Sequence, residues 1–136
     1  VVMTDLPILV HLDLLPFLDF IYLPRIDYDD SEHIPFMASR GCIRRCYFCS
    51  DAPCWPGYRA MSGERIFQEL AYHKNANLKL GHVDFLDLEF NGDMKSLVKF
   101  CESMIKNPLY IRWSANMVIR PEMTMGVIEK IVRAGC

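Results

Sequence analysis

The sequence predicts an α/β fold in which three strands alternate with three helices along a parallel sheet. Three short apolar segments, 34–39, 82–90 and 109–117, read as strands, and each is followed by apolar residues at steps of three and four. This alternation gives parallel strands joined by right-handed crossovers. Residues 1–32 lack clear periodicity, so we expect a linker or extended segment there and a domain over residues 33–136.

The stretch that follows the first strand is the most informative part of the chain. Cys42, Cys46 and Cys49 have the spacing C-x-x-x-C-x-x-C, and Gly41 gives the backbone freedom to leave the strand and curl. Three basic residues accompany the thiols and would offset their negative charge: Arg40, Arg44 and Arg45. A strand that ends in a loop with three closely spaced thiols is typical of a metal centre.

The spacing leaves several kinds of centre open. Structural zinc sites want four ligands, usually in two pairs, and most four-iron clusters also take four cysteines. The next cysteine, Cys54, lies beyond Pro53 and is the nearby candidate for a fourth thiol of an electron carrier. A zinc site, a disulfide-bonded loop and a cluster with one open iron all remain possible from the residues alone.

The loop resembles that of the radical S-adenosylmethionine (SAM) enzymes, with an aromatic residue, Phe48, directly before the last cysteine. The resemblance implies that Cys42, Cys46 and Cys49 ligate a [4Fe-4S] cluster whose open iron binds SAM. It implies reductive cleavage of SAM to a 5′-deoxyadenosyl radical and a reductant protein such as flavodoxin or ferredoxin. It also implies that the chain forms the first three βα units of a partial (β/α)6 TIM-like barrel, truncated, and that Phe48 packs on the adenine.

The second βα unit carries two carboxylates at the predicted end of its strand. Asp87 and Glu89 are two residues apart and therefore share a face of a strand. By resemblance, Glu89 matches the glutamate that meets the amino group of SAM, although the glycines of that family motif are missing. Asp87 matches an aspartate of B12-binding and methylthiolating relatives.

The helices have recognisable ends and apolar faces. Ser62 is expected to cap the first helix, which runs to about Asn77, and Asp93 to cap the second, where Cys101 falls on the apolar stripe as a core thiol. Pro121 suits the first turn of the third helix. The buried face of that helix and its C-terminal cap are expected at Met125, Ile128, Ile131, Val132 and Gly135.

The third strand should end near further cofactor contacts. By position, Ser114, Asn116 and Arg120 are candidates for the ribose and carboxylate of SAM. The resemblance extends to the B12-binding subfamily, in which cobalamin would be bound by an upstream domain. It therefore implies methylation or rearrangement of an unknown substrate, and a methylthiotransferase or a non-catalytic electron carrier is the alternative.

The composition and the sequence ends indicate which partners and which cell compartment fit this protein. The net charge of −2 over 136 residues argues against a nucleic-acid module. The apolar stretch 6–24 is interrupted by charges and prolines, which excludes a membrane span. The absence of a visible signal peptide and the unrelated positions of the other cysteines favour reduced thiols in the cytoplasm. Val1 and the abrupt end at Cys136 suggest an excerpt of a longer chain.

Overall fold

The computed structural model describes residues 11–18, 32–51, 54–55 and 57–136. Its strands are β1 (His33–Phe36), β2 (Ser39–Arg40), β3 (Arg59–Ala60), β4 (His82–Phe85) and β5 (Arg112–Ala115). Its helices are α1 (Gly63–Ala76), α2 (Met94–Lys106) and α3 (Met125–Arg133). The strands β1, β4 and β5 form one sheet in the order β1-β4-β5 with parallel pairing, and β2 and β3 form a separate antiparallel pair.

The parallel sheet and the alternation of strands with helices confirm the predicted α/β class, but the strands are shorter than predicted. The predicted first strand divides at Phe36, because Ser39 pairs with Ala60 of β3 rather than with β4. The last bond of that ladder runs from the Leu86 amide to the Phe36 carbonyl, at 2.8 Å. The ladder thus ends before Asp87, which lies in an irregular segment after β4.

The three helices pack on one face of the parallel sheet. Alternate strand residues point into a shared apolar core, as the period of two requires. The core residues of the sheet and the helices are Ile34, Phe36, Val83, Phe85, Trp113, Ile66, Leu70, Leu97, Phe100, Cys101, Met104 and Ile131. Cys101 is fully buried there, which confirms its assignment as a core thiol, and burial raises its pKa to about 12.

The helix caps follow the sequence closely in α1 and α2. The Ser62 side chain accepts a hydrogen bond from the Arg65 amide, and α1 ends at Ala76 with Asn77 as its C-cap, in agreement with the predicted end at about Asn77. The Asp93 carboxylate accepts from the amides of Lys95 and Ser96 at the start of α2. These caps satisfy amides that have no partner inside the helix.

The predictions for α3 were partly wrong. The helix begins after Thr124, so Pro121 lies in the preceding turn rather than in its first turn. Of the predicted apolar face only Ile131 is buried, whereas Met125 is 70% and Val132 62% exposed. The reason is that α3 packs against α2 along one side only, and Met125 and Val132 lie on the exposed side.

Part of the predicted linker or extended segment packs against α1. Leu12 lies in a short 3-10 turn and is buried in the core. The Arg65 guanidinium donates to the Leu15 carbonyl at 2.7 Å, and the Leu18 amide donates to Glu69 Oε1 at 2.8 Å. Residues 11–18 therefore belong with the domain, and residues 1–10 and 19–31 lie outside the described part of the chain.

We expect Glu69→Gln to lower the free energy of unfolding at neutral pH by about 1–3 kcal/mol, since it weakens a buried charge-assisted network. Burial acts to raise the pKa of Glu69, but His73, the Leu18 amide and Arg65 outweigh it and lower the pKa below its usual value. The stabilisation from this ionised group is therefore present at neutral pH and is lost as pH falls through the lowered folded-state pKa.

Urea unfolding at a series of pH values tests this expectation. The difference between the wild type and Glu69→Gln should shrink as the pH falls into the acidic range. An equal difference at every pH would contradict an ionised Glu69 in the folded chain. Glu129→Gln, on an exposed position of α3, serves as the control and should show little difference at any pH.

No helix within the described ranges has the length and apolar character that a membrane crossing would need.

Candidate functional site

The cysteine-bearing segment, residues 41–57, is closed at its base by two glycines. Gly41 has a φ of +85°, in the left-handed region that favours glycine, and a Cβ there would lie 2.5 Å from the Gly57 carbonyl oxygen. The pairing of β2 with β3 adjoins this contact, with Arg40 opposite Arg59. The structure thus agrees with the prediction that Gly41 lets the chain turn away from the first strand.

The three predicted ligands lie together on this segment as free thiols. Cys42 and Cys49 are half-buried and Cys46 is exposed. The Cys49 amide donates to the Cys46 carbonyl at 3.1 Å, which makes a tight turn, and the Arg44 amide donates to Cys42 Sγ at 3.3 Å. The three sulfurs are not gathered within 4.8 Å of one another in the described chain, so ligation by them stays a prediction.

Glu89 is brought directly against the first of these thiols. The Cys42 thiol donates to Glu89 Oε2 at 2.9 Å, and the Glu89 side chain is fully buried. Its other oxygen, Oε1, has no hydrogen-bond partner among the described residues. Burial, and then the bond to Glu89, raise the pKa of the Cys42 thiol. The site therefore contains a buried carboxylate oxygen that lacks a hydrogen-bond donor among the described residues.

Asp87 also lies at this end of the sheet, but it binds the chain itself. It is fully buried and accepts from the Ala38 amide at 3.2 Å and from the Ser39 hydroxyl. Burial raises the pKa of this carboxyl in spite of these bonds. Asp87 thereby ties the segment after β4 to the start of the cysteine-bearing segment.

Asn116 and Arg120 lie on the chain that follows β5. The Asn116 side-chain amide donates to the backbone carbonyl of Asp87 at 3.2 Å, which joins the chain after β5 to the segment that carries the two carboxylates. The Arg120 guanidinium donates to the carbonyls of Asn91 and Gly92 at 2.7 and 2.9 Å. Arg120 is thus held by the turn between β4 and α2, and its role toward SAM stays a prediction.

Phe48 projects from the cysteine-bearing segment into solvent. It is 78% exposed and makes an edge-to-face contact with Tyr47, with 5.4 Å between ring centroids. The ring is therefore free to receive a planar partner. Its predicted contact with adenine remains untested.

Sequence reasoning missed Asn91, which together with Tyr58 shapes the turn after β4. Asn91 is fully buried and exchanges two hydrogen bonds with the Val118 backbone, at 2.7 and 3.0 Å. Tyr58 packs over Gly92, where a Cβ would lie 2.5 Å from the ring, and burial raises the pKa of Tyr58 to about 12. The Asn-Gly pair after the strand was the available signal, since it marks a tight turn.

Two known proteins are similar to this chain in sequence. One is the anaerobic magnesium-protoporphyrin IX monomethyl ester cyclase of Rubrivivax gelatinosus, 28% identical over 115 residues, which are 82% of this chain and 20% of that protein. The other is an uncharacterized methyltransferase of Pyrococcus horikoshii, 30% identical over 115 residues, or 81% of this chain and 24% of that protein. The chain thus spans about a quarter or less of these relatives.

A solved structure shows the same fold. The cobalamin-dependent SAM radical enzyme OxsB superimposes with a TM-score of 0.52 and 24% identity, over 74% of this chain and 15% of that enzyme. No family model matches the chain. The sequence relatives and the fold agree with the resemblance seen in the cysteine motif: the chain is similar to radical SAM proteins and fits the B12-binding type.

Proposed function

We propose that this chain is the cluster-bearing part of a radical SAM enzyme, with Cys42, Cys46 and Cys49 as ligands of a [4Fe-4S] cluster. Its enzyme relatives support catalytic activity in general. We further propose that residues 33–136 form the first three βα units of a partial (β/α)6 TIM-like barrel and that residues 1–32 lead into it. The parallel order β1-β4-β5 with helices on one face supports this arrangement.

The observation that carries the proposal is the environment of Glu89. A fully buried carboxylate with one unpaired oxygen costs about 1–3 kcal/mol or more unless a donor reaches it. The ammonium group of SAM is such a donor, and a charge-assisted bond of this kind is stronger than a neutral one. Because Glu89 already touches Cys42, a ligand bound to Glu89 would lie beside the cysteine-bearing segment.

When bound, the cluster and SAM would supply one-electron cleavage of SAM and a 5′-deoxyadenosyl radical. The residues of this chain hold and shield that chemistry. Glu89 would accept from the SAM amino group, and Asp87 would keep the segment after β1 in place through Ala38 and Ser39. A Cys42 thiolate that ligated iron would have lost its proton to solvent and could no longer donate to Glu89, so both carboxylate oxygens would then be open to donors.

We propose further cofactor contacts by Asn116, Arg120 and Phe48. The Asn116 amide lies near Asp87, where the SAM ribose would present hydroxyls. Arg120 has a positive charge at the same end of the sheet, suited to the SAM carboxylate. Phe48 is exposed beside Cys49 and has a face on which adenine can pack.

The relatives suggest the wider setting of the reaction. Since one relative is a cyclase and another a methyltransferase, we propose methylation or rearrangement of a substrate whose identity is unknown. Cobalamin, named for OxsB, would be a second cofactor bound by a domain outside this chain. Flavodoxin or ferredoxin would deliver electrons in the cytoplasm, where the free thiols stay reduced.

The proposal is tested by reconstituting the full chain with iron and sulfide without oxygen and recording EPR spectra of the reduced protein. We expect a [4Fe-4S]⁺ signal that changes when SAM is added. In Glu89→Gln the cluster signal should remain, but the SAM concentration needed for half of the change should rise at least about tenfold, because a charged partner of the ammonium is lost.

Control variants and alternative outcomes separate the competing functions. Glu129→Gln, on the exposed side of α3, should respond to SAM like the wild type. A cluster signal indifferent to SAM would favour an electron carrier over a SAM enzyme. Purified protein that contains zinc but no iron or sulfide would overturn the proposal in favour of a structural metal site.

A further inference from the structure

The face of the sheet that the helices leave uncovered carries a group of polar side chains. Residues alternate along the strands, so His33, His82, Asp84 and Ser114 lie on the face opposite the apolar core. The register pairs His33 with His82 across β1 and β4, and Asp84 with Ser114 across β4 and β5. Parallel pairing therefore gathers side chains that are up to 81 positions apart in sequence into one patch.

Three of these side chains approach one another as a metal site requires. One ligand atom each from His33, His82 and Asp84 lies within 4.8 Å of the other two, which holds for no other such group in the described residues. His82 Nε2 is 3.0 Å from Asp84 Oδ1, and the two imidazole rings are 5.0 Å apart. The His82 and Asp84 side chains are 27% and 46% exposed, so an ion from solvent can reach them.

The fourth side chain positions the carboxylate. The Ser114 hydroxyl donates to Asp84 Oδ1 at 2.5 Å. This bond is the main reason that the pKa of Asp84 is lowered, with a further contribution from His82. The hydroxyl thereby favours the ionised form of Asp84 and fixes its orientation. Metal-binding carboxylates in proteins commonly have a hydrogen-bond partner of this kind.

We propose that His33, His82 and Asp84 bind a divalent transition-metal ion of the zinc type, with Ser114 as an orienting partner and the remaining coordination position open to water. Two imidazoles and one carboxylate are a donor set common to zinc and related ions. Bonds of about 2.0–2.2 Å to a tetrahedral ion place the donor atoms roughly 3.3–3.6 Å apart. The His82 and Asp84 atoms, at 3.0 Å, would open slightly and would exchange their hydrogen bond for bonds to the ion, which side-chain rotation allows. The site does not depend on the proposed radical chemistry.

This site lies at the opposite end of the strands from the cysteine-bearing segment. His33 and His82 begin their strands, whereas Cys42 follows the carboxyl end of β1. A rise of about 3.3 Å per residue separates the two ends of a four-residue strand by roughly 10 Å. The two centres would thus bind different metals with different donors, nitrogen and oxygen at one end and sulfur at the other.

The test titrates Co²⁺, and then Zn²⁺ in competition, into the full chain with Cys42, Cys46 and Cys49 replaced by alanine. We expect one equivalent to bind, with d–d bands in the visible spectrum and no thiolate-to-cobalt charge-transfer band in the near ultraviolet. His82→Ala and Asp84→Asn should each weaken binding at least about tenfold, and Ser114→Ala about tenfold. His11→Ala, which changes an exposed histidine elsewhere, should leave the affinity unchanged.

A second measurement uses the unmutated chain, in case the triple variant does not fold. The chain has four histidines, His11, His33, His73 and His82. In histidine-selective NMR, Zn²⁺ should shift the imidazole signals of His33 and His82 and leave the other two in place. Unmoved signals for both, or an affinity for cobalt that Asp84→Asn does not change, would overturn the proposal and leave a polar network that binds no ion.

Discussion

Replacing Cys49 by alanine is expected to abolish the iron–sulfur cluster, whereas replacing Cys54 by alanine should leave it intact. A cluster held by three cysteines has no thiol in reserve once one of them is removed. Cys54 is exposed on the same segment, and its sulfur lies 3.7 Å from the Ser50 carbonyl oxygen. It is therefore a suitable control for Cys49, with the same side chain five positions later in the sequence. The pair of variants therefore compares two exposed or half-exposed thiols that differ in their proposed role.

Iron and sulfide content after anaerobic reconstitution, together with the EPR signal of the reduced protein, measures this effect. We expect cluster content in Cys49→Ala to fall by at least about tenfold, and Cys42→Ala and Cys46→Ala to behave alike, since each removes one iron ligand. Loss of the cluster in Cys54→Ala would instead indicate four thiol ligands. That result would favour an electron carrier and contradict an iron left open for SAM.

The second large effect is expected from Gly63→Ala at the first residue of α1. A Cβ at Gly63 would lie 2.3 Å from the Ser96 carbonyl oxygen and 2.4 Å from the Phe100 amide nitrogen. Both atoms belong to the backbone of α2 and cannot rotate away, so the two helices must separate. Since Phe100 is fully buried between helix and sheet, we expect a loss of about 3 kcal/mol or more in the free energy of unfolding.

Gly126→Ala provides the matched control for this substitution. Gly126 lies in the first turn of α3, and a Cβ there would meet nothing within 4 Å. Alanine is the better helix former, so this variant should be neutral or more stable by up to about 1 kcal/mol. Urea unfolding of both variants measures the difference, and similar midpoints would show that the close approach of α1 and α2 relaxes without cost.

Sequence patterns predicted the parts of this fold that depend on neighbours close in the chain. The caps at Ser62 and Asp93 follow from the residue types that precede each apolar pattern. The buried position of Cys101 follows from apolar spacings of three and four residues. The structure confirms all three predictions. The ends of the strands did not follow, because the ladder stops where Ser39 finds a distant partner in Ala60. Pairing at that separation leaves no local trace in the sequence.

The same distinction applies to the candidate sites. Asp87 and Glu89 were found because they alternate within one short segment, but the contact of Glu89 with Cys42 depends on the approach of two loops. His33 and Asp84 were not recognised as neighbours, since only the register of β1 against β4 brings them together. The exposed side of α3 was missed because apolar spacing predicts a face and says nothing of what covers it.

The contact between Gly41 and Gly57 has a consequence for the order in which the protein and its proposed metal centre assemble. Closing a flexible segment of some 15 residues costs roughly 2 kcal/mol in chain entropy by the usual logarithmic estimate. Here the pairing of β2 with β3 offsets that cost through backbone hydrogen bonds of the polypeptide itself. An incoming cluster would then bind a segment whose two ends are already joined, so metal insertion is expected to follow folding instead of driving it.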